Sequence, residues 1–104
     1  MTNTPVKTET VAAPLSVVIP LYNEEDSVGP LIERCNEALS EYASKWELVL
    51  VDDGSSDGTV ATVKRMLAEQ GFKHICLLEL QRNFGQTAAM QAGIDAARGE
   101  VIVT

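Results

Sequence analysis

The sequence predicts an α/β fold: a parallel β-sheet flanked by helices in the order β-α-β-α-β-α-β. Three observations lead there. The short aliphatic and β-branched runs PLSVVIPL, ELVLV, HICLLEL and EVIVT read as strands, the first of them buried on both faces. Between them, apolar residues recur at helical spacing. The connections are also long enough for helical crossovers, which join parallel rather than antiparallel neighbours.

The first strand is expected over Leu15 to Leu21. Val28, Leu31, Ile32, Cys35, Ala38, Leu39 and Tyr42 then form one helical stripe, with Glu33, Arg34, Glu37 and Glu41 opposite and Asp26, Ser27 and Pro30 as start signals. A second strand covers Glu47 to Val51. The segment SDGTVATVKRMLAEQG makes the second helix, with Val60, Val63, Met66 and Leu67 inward and Gly71 as its stop. A third strand runs from His74 to Leu80. The helix drawn from NFGQTAAMQAGIDAARGE has a small inner stripe of Ala88, Ala89, Ala92, Gly93, Ala96 and Ala97, which suits close approach to a sheet or ligand. Glu100 to Val103 opens a fourth strand, in a β-branched run with no turn residue to end it.

With 104 residues the chain is one domain at most, near the small end for this architecture. Residues 1–13 carry no basic segment followed by an apolar run and read as a flexible tail; residues 14–104 read as the domain. No run approaches the roughly 18 apolar residues of a membrane span. A formal net charge of −7 argues against nucleic acid or an anionic lipid surface as a general partner. The same charge means that a phosphorylated ligand needs a metal ion or local basic groups to offset repulsion. Cys35 and Cys76 lack metal-ligand spacing and lie in apolar-periodic segments, so they are expected as buried free thiols of a reducing compartment.

Chemistry is concentrated where the strands end. Parallel α/β sheets bind ligands beyond the carboxyl ends of their strands. Pro20, Tyr22, Asn23 and Glu24 follow the first strand, Asp52, Asp53 and Gly54 the second, and Arg82, Asn83 and Gln86 the third. Neither G-x-G-x-x-G nor G-x-x-x-x-G-K-[ST] occurs, which argues against a dinucleotide fold or a P-loop. Adjacent carboxylates leaving a strand point to opposite sides of the sheet, so one can brace a loop while the other faces a ligand. A carboxylate only accepts hydrogen bonds, which suits a ring N–H of uracil or guanine, and Tyr22 offers a face to base or ribose. Asp53 is the expected ligand contact, and Asp57 is expected only to shape the turn. Arg82 suits the base or a phosphate; it suits equally a surface ion pair with Glu24 or Asp53. Gln86 and Thr87 either receive an anion at a helix N-terminus or cap it. His74, Trp46 and Lys64 read as structural.

SVVIPLYNEE, VLVDDGSSDGT, QRNFGQTAAMQAGIDAARGE and VIVT, in this order, resemble the N-terminal half of the nucleotide-binding domain of family 2 inverting glycosyltransferases. The third block most resembles the branch that transfers a sugar to dolichyl or undecaprenyl phosphate. The resemblance covers Leu15 to Thr104 and implies a Rossmann-like GT-A fold and a UDP- or GDP-type sugar donor. It also implies a polyprenyl phosphate or other cell-envelope glycan as acceptor, and a place at the cytoplasmic face of a membrane. It implies that Pro20, Tyr22, Asn23 and Glu24 line the nucleotide pocket, that Asp53 binds the base with support from Asp52, and that Arg82 lies near the nucleotide. In that family the fourth strand runs into an Asp-x-Asp motif that holds Mg²⁺ or Mn²⁺. Thr104 precedes that motif, so the chain resembles a member cut short, expected not to transfer sugar by itself. A receiver-like signalling domain would want its paired carboxylates after the first strand and an aspartate after the third, where LQRN stands here. A remnant that binds nothing is the remaining alternative.

Overall fold

The computed structural model describes residues 14–42, 45–99 and 101–103. The elements are β1 (Leu15–Leu21), α1 (Val28–Tyr42), β2 (Trp46–Asp52), α2 (Thr59–Gln70), β3 (Ile75–Glu79), α3 (Gln86–Ala96) and β4 (Val101–Val103). The four strands form one parallel sheet in the order β3-β2-β1-β4. β1 has the limits its aliphatic run predicts. β2 gains a residue at each end and β3 loses one at each end, although ladder bonds from Leu48 N to the His74 carbonyl and from Leu80 N to the Asp52 carbonyl continue past β3. Residues 1–13, 43–44, Glu100 and Thr104, and the side chains of Tyr42, Val101 and Val103, lie outside the description.

The strand order explains the layering. Crossovers in such sheets are right-handed, so helices made while the chain steps from β1 to β2 to β3 lie on one face, and the helix made on the return to β4 lies on the other. Val28 and Ile32 of α1 and Val63 and Met66 of α2 pack on Leu21, Leu48, Leu50 and Ile75. On the opposite face Ala89 of α3 packs with Val18, Val49 and Val51. Successive residues of β2 therefore serve different cores, as the period of two dictates. The chain reverses direction across the sheet between β1 and β4, the kind of switch point beside which α/β folds place ligands.

Three burial expectations need correction. Cys76 is exposed and Cys35 only half-buried, although both thiols are free. β3 is an edge strand and α3 packs over β1 and β2, so on that face Leu78 still packs against the second core while Cys76 is left exposed. Ala38 of α1 is exposed, beyond the stripe that reaches the sheet. The stripe of α3 narrows to the i,i+4 pair Ala89 and Gly93, with Ala92 and Ala97 only partly buried and Ala88 and Ala96 in solvent. At Gly93 the approach is so close that a Cβ would lie 2.2 Å from Val18 Cγ1 and 2.9 Å from Val51 Cγ2.

Candidate functional site

At the carboxyl end of the sheet the loops after β1 and β2 interlock. Asn23 has a left-handed φ of 51°, which asparagine tolerates better than most residues. Its N–H donates to Ser55 Oγ at 2.9 Å, and its Oδ1 accepts from Ser56 N at 2.8 Å. Next to it, Glu24 N donates to Thr59 Oγ1 at 2.7 Å, while Gly58 N donates to Glu25 Oε1 at 3.1 Å. Asp57 accepts from Thr59 N at 2.9 Å and from the Thr59 hydroxyl at 2.5 Å, the turn role its sequence position predicts. The hydroxyl contact is the chief reason its carboxyl is held below the usual range.

Asp52 and Asp53 are 2% and 3% exposed and take different partners. Asp52 folds back on its own loop, accepting from Ser55 N at 2.9 Å and Ser55 Oγ at 2.6 Å. Asp53 reaches the loop between β3 and α3. Its Oδ1 accepts from Phe84 N at 2.8 Å, and its Oδ2 accepts from Asn83 Nδ2 at 3.0 Å and Gly85 N at 3.1 Å. Asn83 Nδ2 also donates to the Asp53 carbonyl at 3.1 Å. Between them Gly54, at φ 74°, lets the loops touch: a Cβ there would meet Arg82 C and Asn83 N at 2.3 Å.

Beside this clamp a cavity of about 200 Å³ is lined by Pro20, Leu21, Tyr22, Glu24, Asp53 and Gln86. Pro20, Tyr22, Glu24, Asp53 and Gln86 of the sequence-predicted set thus share one hollow. Asn23 and Asp52 do not line it; they brace the loops around it. Arg82 does not line it either, and its guanidinium lies 4.5 Å from the centre of the Phe84 ring. Among the described residues no carboxylate forms an ion pair with it. Gln86 is the first residue of α3, whose N-cap Gly85 supplies no side-chain cap. Sequence reasoning misses two features. Leu21 reads as core, yet it lines the cavity and its carbonyl accepts Asp53 N at 2.8 Å. Asn83 is foreseen on the lip without a role. A further cavity, of about 190 Å³, lies at the opposite, amino end of the strands beside Leu15, Trp46 and Arg98, away from all of these residues. There His74 stacks on Trp46 at 4.8 Å, a structural role for both.

The acidic side chains at the cavity do not fit a divalent ion. Asp53 has N–H donors on both oxygens, which leaves Glu24 as the less committed carboxylate. Among the described residues no group of three or more His, Cys, Asp or Glu could hold a metal.

Residues 16–104 match the family described as Glycosyl transferase family 2. The chain belongs to glycosyltransferase family 2. Two curated relatives transfer to polyprenyl phosphates by name. A dodecaprenyl-phosphate galacturonate synthase of Rhizobium johnstonii is 52% identical over 103 residues, which are 99% of this chain and 29% of the relative. An undecaprenyl-phosphate 4-deoxy-4-formamido-L-arabinose transferase of Aeromonas hydrophila is 39% identical, over 100% of this chain and 30% of its own length. This family 2 chain thus spans about three-tenths of the length of these relatives. Among solved structures, the mannosyltransferase PcManGT of Pyrobaculum calidifontis, in complex with GDP-Man and Mn²⁺, superposes with a TM-score of 0.72 at 31% identity, covering 89% of this chain and 27% of that one. TarS 1-349 of S. aureus superposes at 0.70 with 25% identity, covering 86% and 26%. The parallel α/β architecture is that of the GT-A glycosyltransferases.

Proposed function

We propose that residues 14–104 form the N-terminal, nucleotide-binding part of a GT-A domain. The whole protein would transfer a sugar, with inversion, from a UDP- or GDP-type donor to a polyprenyl phosphate at the cytoplasmic face of a membrane. The observation that carries this reading is the cavity at the carboxyl ends of β1 and β2, bordered by a buried carboxylate and an aromatic ring. An ionised carboxylate has about four acceptor positions. The donors found on Asp53 fill one position on Oδ1 and two on Oδ2, so one on Oδ1 is left for a ring N–H. Uracil and guanine have such an N–H beside a carbonyl; adenine and cytosine present a bare nitrogen there. Tyr22, 48% exposed, offers its ring to the base or ribose.

The relatives' names support the lipid-phosphate acceptor, and the GDP-Man and Mn²⁺ bound to PcManGT support a nucleotide-sugar donor and a divalent ion, Mg²⁺ or Mn²⁺. The described residues do not fit that ion. Among those residues no helix is long and apolar enough to cross a membrane. Calorimetric titration of UDP, GDP, ADP and CDP into the full-length protein tests the site. Either UDP or GDP should bind at least about tenfold more tightly than ADP and CDP, the ratio one well-placed hydrogen bond supplies. Labelled donor sugars with polyprenyl phosphate should then give a glycolipid of inverted anomeric configuration. Equal binding of all four nucleotides would refute the assignment of the site.

A further inference from the structure

We infer that Asn83 is a positioning residue for base recognition: its side-chain amide sets the Asp53 carboxylate so that the open acceptor position on Oδ1 serves the cavity. The inference rests on the nucleotide reading above and adds a residue to it. Asn83 Nδ2 donates both to the Asp53 carbonyl at 3.1 Å and to its Oδ2 at 3.0 Å, so one amide joins the main chain and side chain of the same aspartate. That bridge restricts the rotation that would exchange Oδ1 with Oδ2. The N–H groups of Phe84 and Gly85 also reach Asp53, one on each oxygen. They hold the carboxylate alone, whereas the Asn83 amide also holds the Asp53 carbonyl, and it alone of the three donors is a side chain that substitution removes. Asn83 itself is exposed at the surface of the loop and packs in neither core. The near contact of Gly54 with the Asn83 backbone provides a second way to disturb the same geometry without removing the amide.

A residue that only stabilises the loop would affect all nucleotides alike. A positioning residue affects discrimination at the ring N–H, and methylated nucleotides report that directly. The full-length protein, Asn83→Ala and Gly54→Ala would be titrated calorimetrically with UDP and N3-methyl-UDP, and with GDP and N1-methyl-GDP, far-UV circular dichroism confirming the fold. The wild type should prefer its unmethylated nucleotide by about ten- to a hundredfold, and both variants should reduce that ratio to about threefold or less, chiefly by weakening the unmethylated ligand. Variants that keep the wild-type ratio would overturn the inference and leave the nucleotide reading intact. Loss of fold in Asn83→Ala would also overturn it, because the residue would then be structural. A wild type without discrimination would overturn the nucleotide reading and this inference together.

Discussion

Asp53→Asn tests the centre of the site because an amide has almost the shape of the carboxylate and half its acceptor capacity. In the native protein both oxygens receive N–H donors: Phe84 N on Oδ1, and Asn83 Nδ2 and Gly85 N on Oδ2. An asparagine has one oxygen. Placed toward Asn83 and Gly85, it leaves Phe84 N facing an NH₂ group; placed toward Phe84, it leaves two donors facing that group. At 3% exposure water cannot easily replace the lost acceptor. Losing at least one charge-assisted bond costs about 1.5–3 kcal/mol. At a urea m-value of about 1–3 kcal/mol/M, the unfolding midpoint of the full-length protein should fall by about 1 M. The same change should weaken binding of the preferred nucleotide by about ten- to a hundredfold, since a neutral amide cannot supply the anionic acceptor. Urea unfolding followed by fluorescence and calorimetric titration read the two effects separately. A lowered midpoint with unchanged nucleotide affinity would confine Asp53 to the loop, and an unchanged midpoint would refute the clamp.

Gly93→Ala sets a helix-propensity gain of about 1 kcal/mol against an overpacking cost of about 1–3 kcal/mol. With two β-branched valines at 2.2 and 2.9 Å from the new methyl, the cost should win, and the melting temperature should drop by several degrees; a rise would show that α3 can move off the sheet. Asn23→Ala forces alanine into a left-handed φ and removes the acceptor for Ser56 N, so it should destabilise by about 1–2 kcal/mol, with Asn23→Gly recovering the backbone share in parallel urea melts. Burial alone would raise the pKa of Glu47, but the Arg98 N–H, the Ser16 hydroxyl, the Arg98 charge and the Gly99 N–H outweigh it and hold the carboxyl below its ordinary value. A depressed folded-state pKa gives stability that is present above the unfolded value and lost as pH falls through the folded one. Glu47→Gln should therefore flatten that part of the acid limb in melts between neutral pH and pH 3, and an unchanged acid limb would count against the network.

Much of the fold was legible because it follows from periodicity. The i, i+3, i+4 stripe of α1 puts Val28 and Ile32 against the sheet, and the alternation of β2 sends Leu48 and Leu50 to one core and Val49 and Val51 to the other. Such patterns report what a helix or strand must bury, whatever its partner. They do not report how wide the partner is. Cys76 sits in a run as apolar as the others, but its strand lies at the sheet edge, and of its residues on that face Leu78 joins the second core while Cys76 stays exposed. The six-residue small stripe of α3 likewise says that close approach is allowed along the whole helix. The sheet takes it up at Ala89 and Gly93.

The site was legible to the extent that its chemistry is carried by side chains at strand ends. Parity along the strand correctly separates Asp52 from Asp53: the first turns toward Ser55 in its own loop and the second toward the loop before α3. Less visible was how much bracing Asp53 performs, because two of its three donor groups are backbone N–H groups, which every residue but proline has and which leave no mark in a sequence. Asn83 is the exception, since its amide is a side chain. It lies 30 positions from Asp53, and an Asn followed two residues later by Gly after a strand looks like any turn. Only the order β3-β2-β1 brings those positions together: β2 lies between β1 and β3, so the loop that leaves it is the one able to touch both neighbours. A carboxylate at that central position can hold its own loop or a neighbour's, and the adjacent pair divides that work: Asp52 accepts from Ser55 in the loop after β2, and Asp53 accepts from the loop before α3.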